Sequence, residues 1–259
     1  FLHPLSLQSF TDITYEHLSD FITAGAPSKH VKKVRVWTLR QFFHFLQFNG
    51  LIKKNIATEL PYPKIDKKDP VFLTFDELTD VLCWFFSRAG TVSGLRNLII
   101  VMMFAFLGLR LSTLRNLDIR DVHLRDSMLE IRDKGGVRRN VPMPQILCIY
   151  LYHYLKTSDR NMGPLFLSKR NNRISSRSIQ YLFDKAENDL NIHKHLHSHL
   201  FRHTAATQLN QMAGLDITCA VLGHRSRRTT EGYVHLDGPL YAGYMATHPY
   251  HTLKEERNE

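Results

Sequence analysis

A proline- and lysine-rich stretch in the first third of the chain constrains its fold more than any other feature. It runs from Pro61 to Pro70 and contains three prolines and three lysines. Proline interrupts a helix, and closely spaced lysines keep the backbone in water. The stretch therefore predicts an extended linker at 63–72, between a helical domain at 1–62 and a larger domain at 73–238.

The charge balance points to a polyanionic partner. Of the 259 residues, 34 are Lys or Arg and 24 are Asp or Glu, which gives a net charge of +10. Nucleic acid and an anionic membrane both fit this balance. The longest apolar run, Leu98 to Leu109, is far shorter than the roughly 20 residues that cross a bilayer, so it predicts a buried helix. We therefore expect a nucleic-acid partner and no membrane partner.

The cysteines and the N-terminal residues bear on the compartment. The three cysteines are scattered, and none belongs to a C-x-x-C pair. The first residues, Phe1 to Ser6, lack a basic segment and a cleavage site. These features predict a cytoplasmic protein. Because the chain begins with Phe1, we also expect a truncated N-terminus.

The periodicity of apolar residues predicts a mainly α protein with a small β-hairpin. Helices are predicted at 14–23 and 28–48 before the linker, and at 74–87, 95–107, 143–156, 176–190, 199–213, 216–222 and 229–236 after it. Alternating residues at 129–132 and 137–141 flank a Gly-containing turn and predict the hairpin.

Basic side chains crowd the first half of the helix predicted at 28–48. They are Lys29, Lys32, Lys33, Arg35 and Arg40. A solvated helix face and a DNA contact explain such a cluster about equally well. The other candidates for DNA contact are Lys64, Lys67, Lys68, Arg225, Arg227 and Arg228.

Five basic residues of the larger domain stand at predicted helix ends and turns, where they are suited to bind a phosphate. They are Arg110, Lys134, His199, Arg202 and His224. His199 and Arg202 are three residues apart at a helix start, so they are predicted to share a face where the helix dipole favours an anion. Two arginines can bind the oxygens of a phosphodiester bidentately. Tyr233 is the candidate nucleophile, because neighbouring cations favour its phenolate.

These residues belong to five short motifs in a fixed order. The motifs are Gly108 to Leu114, Asp133 to Gly135, His199 to Thr204, Leu222 to His224 and Thr229 to Tyr233. In order and spacing they resemble the signature of the tyrosine recombinases, the phage-integrase and Xer-like family. The resemblance is strong from about 73 to 236, and it implies a helical core-binding domain that clamps DNA and an α-rich catalytic domain.

The resemblance also implies the chemistry and the partners. It makes Tyr233 the group that attacks the scissile phosphate to give a 3′-phosphotyrosyl link, and the five basic residues its activators. It implies no cofactor and no metal, because the covalent link conserves the bond energy for rejoining. The implied partners are double-stranded DNA with paired inverted half-sites and further copies of the chain, as a dimer on one site and a tetramer in synapsis. The tail, 239–259, is expected to dock on a neighbouring protomer, and Thr113 stands where the family usually has an acidic residue.

Two other functions use similar residues. A type IB topoisomerase relaxes supercoils with the same chemistry, and a DNA-binding relative exchanges no strands. The spacing of the motifs around His224 and Tyr233 favours the recombinase. Histidines at 193, 195, 197 and 199 also suggest a metal site, but the sequence places no complementary set of acidic residues or cysteines beside them, so no metal is expected.

Overall fold

The computed structural model describes residues 9–65, 71–132 and 138–223. The chain divides into two compact units, Phe1–Asp69 and Pro70–Glu259. The division falls inside the proline- and lysine-rich stretch. The finer limits given above for the linker and the domains stay predictions.

The smaller unit contains two α-helices whose starts are capped by side chains. They are α1 (Tyr15–Thr23) and α2 (Lys29–Phe48), and two 3₁₀ turns lie at Phe10–Asp12 and Ile56–Glu59. The Thr14 hydroxyl accepts a hydrogen bond from the backbone of α1, and the Ser28 hydroxyl accepts one from α2. Such caps satisfy amide groups that have no partner within the helix.

The apolar stripe of α2 forms the core of this unit. Val36, Leu39, Phe43 and Leu46 are all buried, and they recur at the helical spacing that the sequence shows. Both predicted helices of the unit are confirmed.

The larger unit contains six helices and three strands among the described residues. They are α3 (Phe75–Phe86), α4 (Val92–Leu107), α5 (Leu111–Asn116), β1 (Val122–His123), β2 (Met128–Arg132), β3 (Arg138–Pro142), α6 (Gln145–Ser158), α7 (Ser176–Leu190) and α8 (Ser198–Leu222). A 3₁₀ turn at Ile119–Asp121 precedes β1. The predicted mainly α fold class with a small sheet is confirmed.

Helix α4 is the centre of the larger unit. Every residue from Leu98 to Leu107 is buried, and α4 packs against α3, α6 and α8. The helix ends at Gly108, whose backbone is left-handed with φ 55° and ψ 34°. It begins at Val92, three residues before the predicted start, because the Thr91 side chain caps it by accepting a hydrogen bond from Gly94.

The sheet is antiparallel in the order β1-β2-β3. Leu129 pairs with Val141 and Ile131 pairs with Arg139, so the predicted hairpin is confirmed. The two-residue strand β1 adds an edge that the sequence pattern did not predict.

Helix α8 contains the two helices predicted at 199–213 and 216–222, separated by a kink. The predicted break between 213 and 216 is confirmed, because Gly214 is non-helical, with φ 80° and ψ 174°. The helix predicted at 229–236 lies outside the described residues. Among the helices that the structure describes, none is long and apolar enough to cross a membrane.

Candidate active site

The end of α4 positions the first predicted arginine. Arg110 is the residue before α5 and follows Gly108 by two positions. Its Nη2 atom donates to the carbonyl of Gly223 at 3.4 Å. Thr113, which stands in place of an acidic residue, is buried in α5 with 8% of its surface exposed.

The second predicted arginine, Arg202, joins the ends of two helices. Its side chain is only 8% exposed. Its Nη1 atom donates to the carbonyl of Gly108 at 2.5 Å, and its Nη2 atom donates to the carbonyl of Leu222 at 2.7 Å. The fork of the guanidinium group suits two acceptors at once, which a lysine ammonium group cannot match.

Glycine is favoured where these helix ends meet. A Cβ atom at Gly108 would lie 2.4 Å from Cδ2 of Leu222 and 3.3 Å from Cβ of Ala205. The positive φ of this residue also favours glycine. The close approach keeps the carbonyls of Gly108 and Leu222 within reach of the same guanidinium group.

A third arginine, Arg139 of β3, also reaches the end of α8. Its Nη1 atom donates to the carbonyl of Val221 at 2.7 Å. Three guanidinium groups therefore bind the successive carbonyls of Val221, Leu222 and Gly223, where a helix exposes unpaired acceptors and partial negative charge. No local sequence pattern indicates this contact, because its partner lies 82 positions away.

His199 lies in the first turn of α8, and its side chain is exposed. It is three residues from Arg202, as the predicted shared face requires, but the two side chains differ in burial because Arg202 extends towards the buried carbonyls.

The other predicted site residues lie outside the described part of the chain. They are Lys134, His224 and Tyr233 in the catalytic set, and Lys67, Lys68, Arg225, Arg227 and Arg228 among the DNA contacts. The described residues lead directly to two of them: β2 and β3 flank the segment that contains Lys134, and Gly223 precedes His224. The catalytic assignments of these residues stay predictions.

The histidine-rich segment has acidic neighbours that the sequence did not reveal. Single ligand atoms of Asp184, Glu187 and His195 lie within 4.8 Å of one another. The chain turns back after the end of α7, and this turn brings His195 close to Asp184 and Glu187 of that helix. One oxygen of Glu187 already accepts from the Leu196 amide at 2.8 Å and lies 3.0 Å from Nδ1 of His195. These contacts give the carboxylate a structural role without a metal.

Two predicted DNA contacts in α2 are engaged inside their own unit. Arg35 donates to the carbonyls of Phe21 and Ala24, each at 2.8 Å. Arg40 donates to the carbonyl of Leu60 at 2.7 Å, and its guanidinium group lies 4.5 Å from the centre of the Tyr62 ring. Lys29, Lys33 and Lys64 are exposed, and Lys32 is half-buried.

A basic cavity of about 1050 Å³ opens in the larger unit, at residues outside the predicted site. It lies between the start of α4, the end of α3 and the start of α7. Its basic lining residues are Arg88, Arg96, Lys169, Arg170, Arg173, Arg177 and Lys185.

Some of the cations in this basic cavity have partners. Arg173 binds Asp118 at 2.6 Å, and Arg88 lies 3.4 Å from Asp189. Burial lowers the pKa of the Arg96 guanidinium below its ordinary value, and its Nη1 atom donates to the carbonyl of Leu167. Arg170 and Arg177 are exposed. The close spacing of cations between 169 and 177 is the sequence feature that could have indicated this basic cavity.

Comparisons with known proteins agree with this arrangement. The chain matches the phage integrase family over residues 72–238. It is 31% identical over 248 residues to tyrosine recombinase XerC of Alcanivorax borkumensis, which covers 91% of this chain and 78% of that protein. Its structure is similar to that of XerA recombinase, with a TM-score of 0.55, 26% identity, and coverage of 92% of this chain and 85% of that one. It is also similar to a lambda integrase tetramer bound to a Holliday junction, with a TM-score of 0.64, 19% identity, and coverage of 86% and 67%.

The family match spans most of the larger unit and more than half of the chain. The chain therefore belongs to the phage integrase family. Within that family it is a site-specific tyrosine recombinase, an enzyme of DNA recombination, as the order of its motifs predicted.

Proposed function

We propose that this recombinase cuts one DNA strand by direct attack of Tyr233 and rejoins strands by the reverse step. The tyrosine oxygen forms a bond to phosphorus, and the bond from phosphorus to the 5′-oxygen breaks. The products are a 3′-phosphotyrosyl link and a free 5′-hydroxyl. When a 5′-hydroxyl attacks that link, the phosphodiester and the tyrosine are restored. Because the number of phosphate ester bonds is unchanged, the step consumes no nucleotide, and we assign it no metal.

The observation that carries this proposal is the meeting of three motifs at the ends of α4 and α8. Arg202 binds the carbonyl of Gly108, which is 94 positions away in the chain. It also binds Leu222, and Arg110 binds Gly223, the residue before His224. Three of the five motifs of the recombinase signature therefore share one set of hydrogen bonds.

Each of the five basic residues predicted for catalysis has a proposed role. Arg110 and Arg202 donate to the non-bridging oxygens, where negative charge grows as the phosphorus becomes pentacoordinate. Lys134 gives a proton to the departing 5′-oxygen, as a general acid. His199 and His224 orient the phosphate or transfer the proton that Tyr233 loses.

The basic cavity supports a second contact with the same DNA. Its walls include the first turn of α4, whereas Arg110 follows the last turn of that helix. A helix of 16 residues is about 24 Å long, which is the length of about seven base steps of one strand. One duplex can therefore contact both ends of α4. We assign Arg170 and Arg177 to its phosphates, with Lys29, Lys32, Lys33 and Lys64 as contacts from the smaller unit.

We extend the proposal to assembly and location. Lambda integrase has been seen as a tetramer bound to a Holliday junction. We propose that this chain likewise acts as a dimer on one pair of inverted half-sites and as a tetramer in synapsis, with residues 239–259 docked on a neighbour. The net charge of +10 and the DNA substrate fit a cytoplasmic, nucleoid-associated protein.

Two assays in parallel test this function. The protein is mixed with a plasmid that carries two copies of its recombination site, and with a supercoiled plasmid that carries none. We expect recombinant products from the first and no relaxation of the second, with Tyr233→Phe inactive and Tyr241→Phe active as its control. Relaxation of the second plasmid by the wild type without recombination of the first would instead identify a topoisomerase.

A further inference from the structure

His197 caps the helix that carries His199 and Arg202. It is the residue before α8, and its carbonyl accepts from the amides of Leu200 at 2.9 Å and Phe201 at 3.3 Å. The ring also takes part, because the Leu200 amide lies 3.2 Å from Nδ1 of His197. Side chains that accept from the third residue of a helix are the usual way to satisfy its first amides.

This contact favours the neutral form of the ring. A backbone amide can only donate, so Nδ1 must accept and must carry no proton. The contact therefore requires the neutral ring with its hydrogen on Nε2. A protonated ring would present a donor to a donor and would place a positive charge at the positive end of the helix.

The groups that face the ring oppose its protonation, except for the Glu187 carboxylate, which favours it. Burial lowers the pKa of His197 below its ordinary value, and His195, His199 and His203 lower it further, whereas Glu187 raises it. The rings of His195 and His199 lie 5.5 Å and 6.4 Å from that of His197. Because the folded state favours the neutral ring, the cap is complete above the ordinary pKa of about 6.5 and is lost as the pH falls through the lowered value.

The capped turn leads directly to the site. Leu200, whose amide the ring accepts, lies between His199 and Arg202 in the same turn of helix. Arg202 is buried and holds the ends of α4 and α8 together, so a shift of this turn moves both the exposed histidine and the phosphate-binding arginine.

We propose that His197 is a positioning residue for strand cleavage, whose neutral ring fixes the first turn of α8 and whose protonation releases it. This inference rests on the roles proposed above for His199 and Arg202. The ring acts through the helix backbone and is not itself assigned a contact with DNA. Asparagine at this position would keep an acceptor for the Leu200 amide without a group that titrates.

The test compares His197→Asn, His197→Ala and the wild type, with His193→Asn as the control. His193 is exposed in the same segment and undergoes the same chemical change. Cleavage of a nicked suicide substrate is followed from about pH 7.5 to about pH 4.5, from above the ordinary pKa of histidine to well below it. Urea unfolding is measured over the same range.

We expect the wild type and His193→Asn to lose cleavage with falling pH by about two- to fivefold more than His197→Asn, the lower part of the range that one N-cap represents. His197→Ala should be less stable than His197→Asn, with an equilibrium constant for unfolding about fivefold larger at every pH. If His197→Asn does not fold, His197→Ser gives the same comparison.

Parallel cleavage profiles for the wild type and His197→Asn would overturn the proposal, even if their stabilities diverge. That failure is distinct from failure of the proposed function. Tyr233→Phe is included in the same series, and full cleavage by it would refute the nucleophile while the unfolding data still report on the cap.

Discussion

Replacement of Gly108 by alanine tests whether the ends of α4 and α8 are as tightly packed as the structure indicates. The residue has a φ of 55°, and an added Cβ would lie 2.4 Å from Cδ2 of Leu222. Leu222 is fully buried, so its side chain has no open space to turn into.

Two costs add at this position. A left-handed backbone costs a residue with a Cβ about 1 to 2 kcal/mol. Forcing an extra carbon into a packed interior costs about 1 to 3 kcal/mol. We therefore expect Gly108→Ala to lower the free energy of unfolding by about 2 to 5 kcal/mol.

A second glycine separates the two costs. Gly163 has a φ of 87°, but a Cβ there would meet only Nη2 of Arg160, at 3.8 Å. Gly163→Ala should therefore lose only the backbone part, about 1 to 2 kcal/mol. The measurement is urea denaturation. The midpoints report stability if all variants show the same slope of unfolding free energy against urea concentration.

Removing the clashing atom should restore part of the loss. In a double-mutant cycle with Leu222→Ala, the loss for the double variant should be smaller than the sum of the two single losses by at least about 1 kcal/mol. Equal losses for Gly108→Ala and Gly163→Ala, together with simple additivity in the cycle, would refute the close approach of these helix ends.

Three further predictions concern the chemistry and the DNA contacts. Lys134→Ala should cleave poorly on a normal substrate and recover on one with a 5′-thio leaving group, which needs no proton, and equal defects on both substrates would reject the acid role. Arg202→Lys should lose at least about 10²-fold in the cleavage rate, because an ammonium group cannot bind two carbonyls and a phosphate as the guanidinium fork does, and a near-normal rate would contradict this. DNA affinity should fall steeply with salt, and Arg170→Gln and Arg177→Gln should each reduce the log–log slope by about 0.9 if they neutralise one phosphate, whereas unchanged slopes would remove the basic cavity from the DNA interface.

The helices were predictable where local chemistry alone defines them. Thr14, Ser28 and Thr74 cap α1, α2 and α3 at the residues that the sequence indicates. The limits of α7 match the predicted helix at 176–190, because an apolar stripe and a serine cap agree there. Helix α5 was missed because it is short and Arg110, at its start, makes no capping hydrogen bond with its side chain.

The contacts of individual arginines were not predictable, because charge patterns do not name partners. Arg35 and Arg40 belong to a basic cluster in the sequence, yet they bind carbonyls of their own unit. Arg139 is one of several cations near the hairpin, and only the folded chain brings it to the carbonyl of Val221. Alternation along a strand indicates the face of a side chain but not what lies opposite it.

The site motifs were recognised by their order, and their convergence required the fold. Nothing in the spacing of Gly108 and Arg202 indicates that a guanidinium group of one motif binds a carbonyl of another. The acidic neighbours of His195 were missed for the same reason, since α7 brings Asp184 and Glu187 to it only after the chain turns back.

The covalent junction between protein and DNA tests the central claim most directly. The protein is trapped on a nicked suicide substrate and digested, and the DNA-linked peptide is sequenced by mass spectrometry. We predict that the DNA is joined through its 3′-phosphate to the oxygen of Tyr233. A junction at Tyr241 or Tyr244, or one through a 5′-phosphate, would contradict the account.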